Sequence, residues 1–117
     1  MGSSITRFAV GRRLSEMAIH NGSIYLAGQV AEDTTADITG QTQQVLGAID
    51  KLLAQAGSDK TKILSTTIYI TDMANFPAMN VVWDAWVVQG HTPPRATLQA
   101  NLARPDFLVE IQIIAAQ

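Results

Sequence analysis

The sequence predicts an α+β domain: a single mixed β-sheet with two helices packed on one face. Three observations predict it. Short β-branched and aromatic runs precede, separate and follow two stretches of helical periodicity. Each helical stretch carries one apolar stripe, so each covers a surface rather than being buried all round. An Asn-Gly pair, Asn21-Gly22, stands between two early strand-like runs and is the strongest short-range hairpin signal. At 117 residues the chain fits one domain, 1–117.

In order, Ile5–Val10 is a short first strand, and Glu16–Asn21 and Ser23–Gln29 form a hairpin about Asn21-Gly22. Ala31–Thr39 is polar and reads as a loop. A helix runs from about Gly40 to Ala56, with Val45, Leu46, Ile49, Leu52, Leu53 and Ala56 on one face and Gly57 ending it. Ile63–Thr71 is β-branched and strand-like, with Leu64, Thr66, Ile68 and Ile70 on one side. A second helix runs from about Phe76 to Gln89, with Asn75 as N-cap and Pro77 in the first turn. Its stripe of Phe76, Met79, Trp83, Trp86 and Val87 reads as core. Arg95–Asn101 and Phe107–Ala115 then read as a closing hairpin around Leu102–Asp106.

Composition narrows the function. The net charge is −2 and there is no basic run, which argues against nucleic-acid binding, since phosphate affinity needs clustered Lys and Arg. No apolar stretch approaches a membrane span, and the N-terminal residues Met1–Ser4 carry no signal-peptide pattern, so a cytoplasmic protein is expected. With no cysteine, disulfides, thiolate catalysis and Cys-based zinc sites are excluded; two histidines, His20 and His91, do not make a His-rich metal site. Charged residues are only 15% of the chain, well below the usual quarter, which favours surface hidden against partner subunits.

Alternation along the last two strands singles out two groups. Placing Val109, Ile111, Ile113 and Leu98 under the helices leaves Arg95, Thr97, Gln99, Glu110 and Gln112 on the opposite face. If Thr97 faces Glu110 across the hairpin, Arg95 is a diagonal neighbour of that carboxyl. Two readings of the pair stand side by side: a solvated cross-strand ion pair worth little, or a functional pair on a face that Leu108 and Ile114 would favour covering. Ala27 or Gly28 puts a small group on the same face, where Gly28 admits close approach of a ligand or partner.

The segments that carry these groups resemble a known family. Pro93-Pro94-Arg95-Ala96-Thr97-Leu98-Gln99-Ala100, followed by Phe107-Leu108-Val109-Glu110-Ile111-Gln112-Ile113, resembles the YjgF/RidA signature. Ile24-Tyr25-Leu26-Ala27-Gly28-Gln29 is similar to its strand ending in S/A-G-Q. Asp72, Phe76 and Asn80 match its D-x-x-x-F-x-x-x-N helix entry. Trp83-Asp84-Ala85-Trp86 with Thr97-Leu98-Gln99-Ala100 looks closest to the YoaB-like branch.

The resemblance implies a chorismate-mutase-like fold, a homotrimer, and clefts between subunits. It implies deamination of reactive 2-imino or enamino acids such as 2-aminoacrylate to 2-keto acids and ammonia, with no metal or bound cofactor. Arg95 would hold the substrate carboxylate and Glu110 would activate water, with Gly28, Ala27, Thr97 and Asn80 contacting substrate. Phe8, Trp83 and His91 are further candidates for the lining. The chain departs from the family at two positions: Thr97 stands where many members have cysteine, and Leu14 where many have tyrosine. The alternative is a non-catalytic module that binds small carboxylates such as 2-keto acids.

Overall fold

The computed structural model describes residues 4–117; Met1–Ser3 of the polar N-terminal stretch lie outside the described residues. The strands are β1 (Thr6–Val10), β2 (Ser15–His20), β3 (Ser23–Leu26), β4 (Ile63–Ile70), β5 (Arg95–Gln99) and β6 (Val109–Ala116). The helices are α1 (Ile38–Gln55) and α2 (Phe76–Trp86). The strands form one sheet in the order β1-β2-β3-β6-β4-β5, antiparallel except for the parallel pair β4 and β5.

The β2–β3 turn forms as the sequence predicts. Asn21 and Gly22 take φ of 51° and 77°, the left-handed pair whose twist matches antiparallel strands. β3 stops at Leu26, short of the expected Gln29. Ala27 N–H donates to the Glu16 carbonyl at 2.9 Å, and Gln29 and Ile111 then exchange backbone bonds at 2.8 and 3.1 Å. Gly28 lies at this transfer of the chain from β2 to β6.

α1 begins at Ile38, two residues ahead of the expected start, because Asp37 caps it by accepting from Gly40 N–H at 2.9 Å. Its predicted stripe faces the sheet, with Val45, Leu46, Ile49 and Leu53 buried. α2 has Pro77 in its first turn, but Asn75 makes no side-chain cap bond. The helix is entered instead through a 3-10 turn, Met73–Asn75, where Asp72 accepts from Ala74 N–H at 2.9 Å. α2 ends at Trp86 rather than Gln89, because Val87 turns extended with ψ of 153°. Met79 and Trp83 are buried from this helix, and Phe76, Trp86 and Val87 pack at the margin of the core.

Two expectations about the sheet are corrected. Arg95–Asn101 and Phe107–Ala115 do not form a hairpin. β5 is the edge strand, parallel to β4, and β4 separates it from β6. A strand, a helix and a strand in succession is a crossover unit, and α2 supplies the connection that a parallel pair requires. The faces are also reassigned. Ile113, Thr66 and Arg95 form one row across β6, β4 and β5, as do Ile111, Ile68 and Thr97, and these rows lie under the helices. Glu110, Tyr69 and Leu98 form a row on the open face. Leu98 is therefore exposed, and Arg95, Thr97 and Gln99 are on the helix side. Leu64, expected on the same side as Thr66, Ile68 and Ile70, is 52% exposed, since a bulge between Ile63 and Ser65 shifts the register and puts buried Ile63 in its place.

The chain between β5 and β6 is pinned by one buried amide. Gln41 donates from Nε2 to the carbonyls of Thr34, Ala36 and Asp106 at 3.3, 3.2 and 3.0 Å. Its Oε1 accepts from Leu108 N–H at 3.0 Å. Thr34 Oγ1 and Arg104 Nη2 both donate to Asp106 Oδ2 at 2.7 Å, and the Thr34 hydroxyl, ahead of Arg104, holds the Asp106 carboxyl below the usual aspartate range. This network sets where β6, and with it Glu110, enters the sheet.

Candidate functional site

The chemistry-bearing residues fall into two groups on opposite faces. The first lies where α2 covers edge strand β5. Arg95, the first residue of β5, is half-buried on the helix side. Its guanidinium carbon stands 5.3 Å from the Trp83 ring centre and 5.8 Å from that of Phe76. Among the described residues the sole ion pair is Arg104–Asp106, so Arg95 has no carboxylate partner there. Three buried polar atoms with no hydrogen-bond partner belong to this region: Thr66 Oγ1, Thr97 Oγ1 and Asn80 Oδ1. Thr66 is the cross-strand neighbour of Arg95, and Thr97 follows it on the same face. Asn80 lies four residues after Phe76 and three before Trp83, so it shares their helix face. The guanidinium N–H groups and the two threonine hydroxyls can donate to an anion, while the Asn80 carbonyl oxygen can accept from a donor.

The second group is on the open face. Glu110 stands beside Tyr69 in the row that ends at Leu98. Gly28 is packed against it: a methyl group built at Gly28 would overlap the Glu110 carboxyl, with Cδ at 2.8 Å. Gly28, Tyr69, Asn101, Leu102, Glu110 and Gln112 line a shallow cavity of about 320 Å³. The absent side chain at Gly28 thus lets the carboxyl lie against the backbone. Ala27 adjoins this group, but its N–H already donates to Glu16 and its carbonyl accepts from Gln29 Nε2 at 3.0 Å.

Of the six expected site residues, the structure brings Arg95, Thr97 and Asn80 to one region and Glu110, Gly28 and Ala27 to another. It does not bring Arg95 to Glu110. They are two strands apart laterally and three residues apart along the strands, so their Cα atoms are roughly 14 Å from one another by strand spacing, and their side chains point to opposite faces. The solvated cross-strand pair is thereby excluded within one chain. Phe76 beside Arg95 was legible only as core, Trp83 as core or as a candidate for the lining, and Tyr69 beside Glu110 not at all. The strand–helix–strand order that makes β5 the parallel neighbour of β4 is the signal that finds all three.

The open face carries further apolar groups. Tyr25, Leu64 and Leu98 are 47%, 52% and 42% exposed, and Ile114 lies in the same surface as Tyr25. No group of three or more metal-ligating side chains occurs among the described residues, nor is any helix there long and apolar enough to cross a membrane. Leu14, at the turn between β1 and β2, is 55% exposed.

A family model described as Endoribonuclease L-PSP matches residues 4–117. A RutC family protein of Haemophilus ducreyi is 51% identical over 112 residues, which cover 96% of this chain and 96% of its own. The RutC family protein YoaB of Escherichia coli is 46% identical over 113 residues, 97% of this chain and 98% of its own. Among solved structures, a member of the YjgF protein family from Neisseria meningitidis superposes with a TM-score of 0.95 at 46% identity, covering 97% of this chain and 95% of that one. A putative translation initiation inhibitor from Salmonella typhimurium gives 0.91 at 45% identity, with 97% and 98% covered.

Proposed function

The chain belongs to the YjgF/RidA family, in its YoaB-like branch, and from that premise we propose that it hydrolyses reactive 2-imino and enamino acids, such as 2-aminoacrylate, to 2-keto acids and ammonia. The working unit is a homotrimer, and each site lies in a cleft between subunits. Arg95 of one subunit and the Glu110–Gly28 group of its neighbour complete one cleft. The protein acts in the cytoplasm.

The observation that carries this reading is the half-buried Arg95 guanidinium, which has no anion of its own among the described residues. A planar guanidinium with free donors matches a carboxylate through two parallel charge-assisted hydrogen bonds. The apolar surface at Tyr25, Leu64 and Leu98 supports association through the open face. Since Arg95 and Glu110 occupy opposite faces of one chain, a second copy is what lets both act on one substrate.

The reaction then follows from orientation and proton transfer. With its carboxylate held by Arg95, the imine presents its C=N carbon to a water at Glu110. The carboxyl takes a proton as the water oxygen bonds to carbon. The carboxyl passes that proton to the imine nitrogen to give the neutral carbinolamine, then carries the hydroxyl proton to the same nitrogen as the C–N bond breaks, so that ammonia leaves and the remaining oxygen becomes the keto group. An enamine such as 2-aminoacrylate enters by prior tautomerisation to the imine. Holding both partners in register is the main source of acceleration.

A coupled assay tests this. A dehydratase and its amino-acid substrate generate the imine, and keto-acid formation is followed with and without the protein. Faster hydrolysis is expected, lost in Arg95→Ala with the sedimentation coefficient unchanged. No acceleration across several amino-acid precursors refutes the reading. Leu14, which puts no hydroxyl where many members have tyrosine, favours the second reading, a carboxylate-binding module. That reading predicts 2-oxobutyrate binding with an unchanged imine lifetime.

A further inference from the structure

We infer that Phe76 and Trp83 are positioning residues that clamp the Arg95 guanidinium and so set how tightly the site holds a carboxylate; the inference rests on the reading of Arg95 as the carboxylate anchor. The two rings lie seven residues apart on α2, two turns along one face, and the guanidinium carbon is 5.3 Å from one and 5.8 Å from the other. Both distances fall within the range of cation–π attraction, which is strongest where water is reduced. Trp83 is 5% exposed, so its side of the contact is desolvated.

The choice of aromatic partners matters chemically. An ion pair or hydrogen bonds to a neighbouring side chain would fix Arg95 by occupying the same N–H groups that a ligand needs. Stacking on ring faces uses the face of the guanidinium plane and leaves the N–H groups at its edge free. Arg104 shows the other arrangement in this chain: it too lies 5.2 Å from a ring, Phe107, but its Nη2 is taken by Asp106 at 2.7 Å. Arg95 has the rings without the carboxylate, among the described residues.

The clamp is itself held in place. Trp83 packs against Trp86 with ring centres 5.4 Å apart and planes tilted by 48°. Trp86 Nε1 donates to Asp50 of α1 at 3.0 Å, and Lys60 Nζ stands 5.2 Å from its ring centre. The position of Arg95 is thus tied through two indoles to the packing of α2 on α1. Phe76, half-buried at the helix start, supplies the second ring, 5.8 Å from the guanidinium carbon.

The test reads binding separately from turnover. In Trp86→Phe protein, Trp83 is the one remaining indole, and its fluorescence is expected to change on titration with 2-oxobutyrate as the carboxylate meets the guanidinium beside it. Phe76→Leu and Trp83→Leu are expected to raise the calorimetric Kd for 2-oxobutyrate, and the KM for the imine, on the order of tenfold, the upper range of a desolvated cation–π contact. kcat should fall less than threefold, and Trp83→Phe should restore most of the affinity. Phe76→Leu carries the test if Trp83→Leu does not fold. Wild-type Kd and KM in folded Phe76→Leu would overturn the clamp while leaving Arg95 as anchor. No 2-oxobutyrate binding by the unsubstituted protein would overturn the anchor, and the clamp with it.

Discussion

Gly28→Ala is a one-carbon test of whether the Glu110 carboxyl does chemistry. The new methyl group would stand 2.8 Å from Glu110 Cδ, closer than real Cβ contacts come, and 3.0 Å from Cγ, at the tight end of them. Gly28 is not in the left-handed region, so alanine can take its backbone conformation. What gives way is the end of a flexible side chain on the open face. Rotating it costs about 0.5–1.5 kcal/mol, and the fold should lose no more than about 1.5 kcal/mol on that basis. The carboxyl, however, moves by about 1 Å or more, and a displacement of that size costs on the order of a hundredfold in rate, about 2.7 kcal/mol at the transition state. The coupled keto-acid assay should show kcat reduced by that order and KM little changed, because the Arg95 that holds the carboxylate in each cleft comes from the neighbouring subunit and is untouched. Urea unfolding of the same sample gives the stability control. Wild-type kcat in folded Gly28→Ala protein would refute the assignment of Glu110 as the base.

Two further predictions concern the frame that carries Glu110. Gln41→Leu removes every bond of the buried amide and leaves Leu108 N–H and the Asp106 carbonyl without partners. A loss of about 2–4 kcal/mol in urea unfolding is expected from unpaired polar groups, and a value below about 0.5 kcal/mol would contradict the role given to Gln41. Threonine hydroxyls hold three aspartates below their ordinary range: Thr34 on Asp106, Thr35 on Asp33 and Thr61 on Asp59. A carboxyl whose folded-state value is depressed adds stability above its unfolded value and loses it as pH falls through the folded one. The urea midpoint should therefore be flat near neutrality and fall below about pH 4, less steeply in Thr34→Val. An identical acid slope in Thr34→Val would remove Asp106 from the account.

The helices and the first hairpin were legible because their signals are local. The α1 stripe repeats at the helical period over about three turns, and Asn21-Gly22 names its own turn type. Strand partners are not local information. Arg95-Ala96-Thr97-Leu98-Gln99 has no strongly apolar side, so alternation alone favoured Leu98 as the buried residue. The structure reverses this because β5 is an edge strand whose covered side meets α2 at its rim, where Arg95 lies against aromatic rings instead of in the aliphatic core. The motifs around Arg95 and Glu110 are what singled them out in the sequence. Their separation was not legible, since it follows from β4 lying between β5 and β6. Asp37 as the α1 cap was available in principle: its carboxyl stands three residues before the Gly40 N–H it accepts from.

The central claim is that Arg95 and Glu110 act on one substrate only when they come from different chains. Subunit mixing tests it most directly. Arg95→Ala and Glu110→Gln proteins, each inactive alone, are unfolded together in equal amounts and refolded. Clefts between neighbours then receive both intact groups in about a quarter of cases by random assortment in a closed ring, so activity should return to about that share of the wild-type rate. Efficient refolding into mixed oligomers with no recovered activity would contradict the shared cleft.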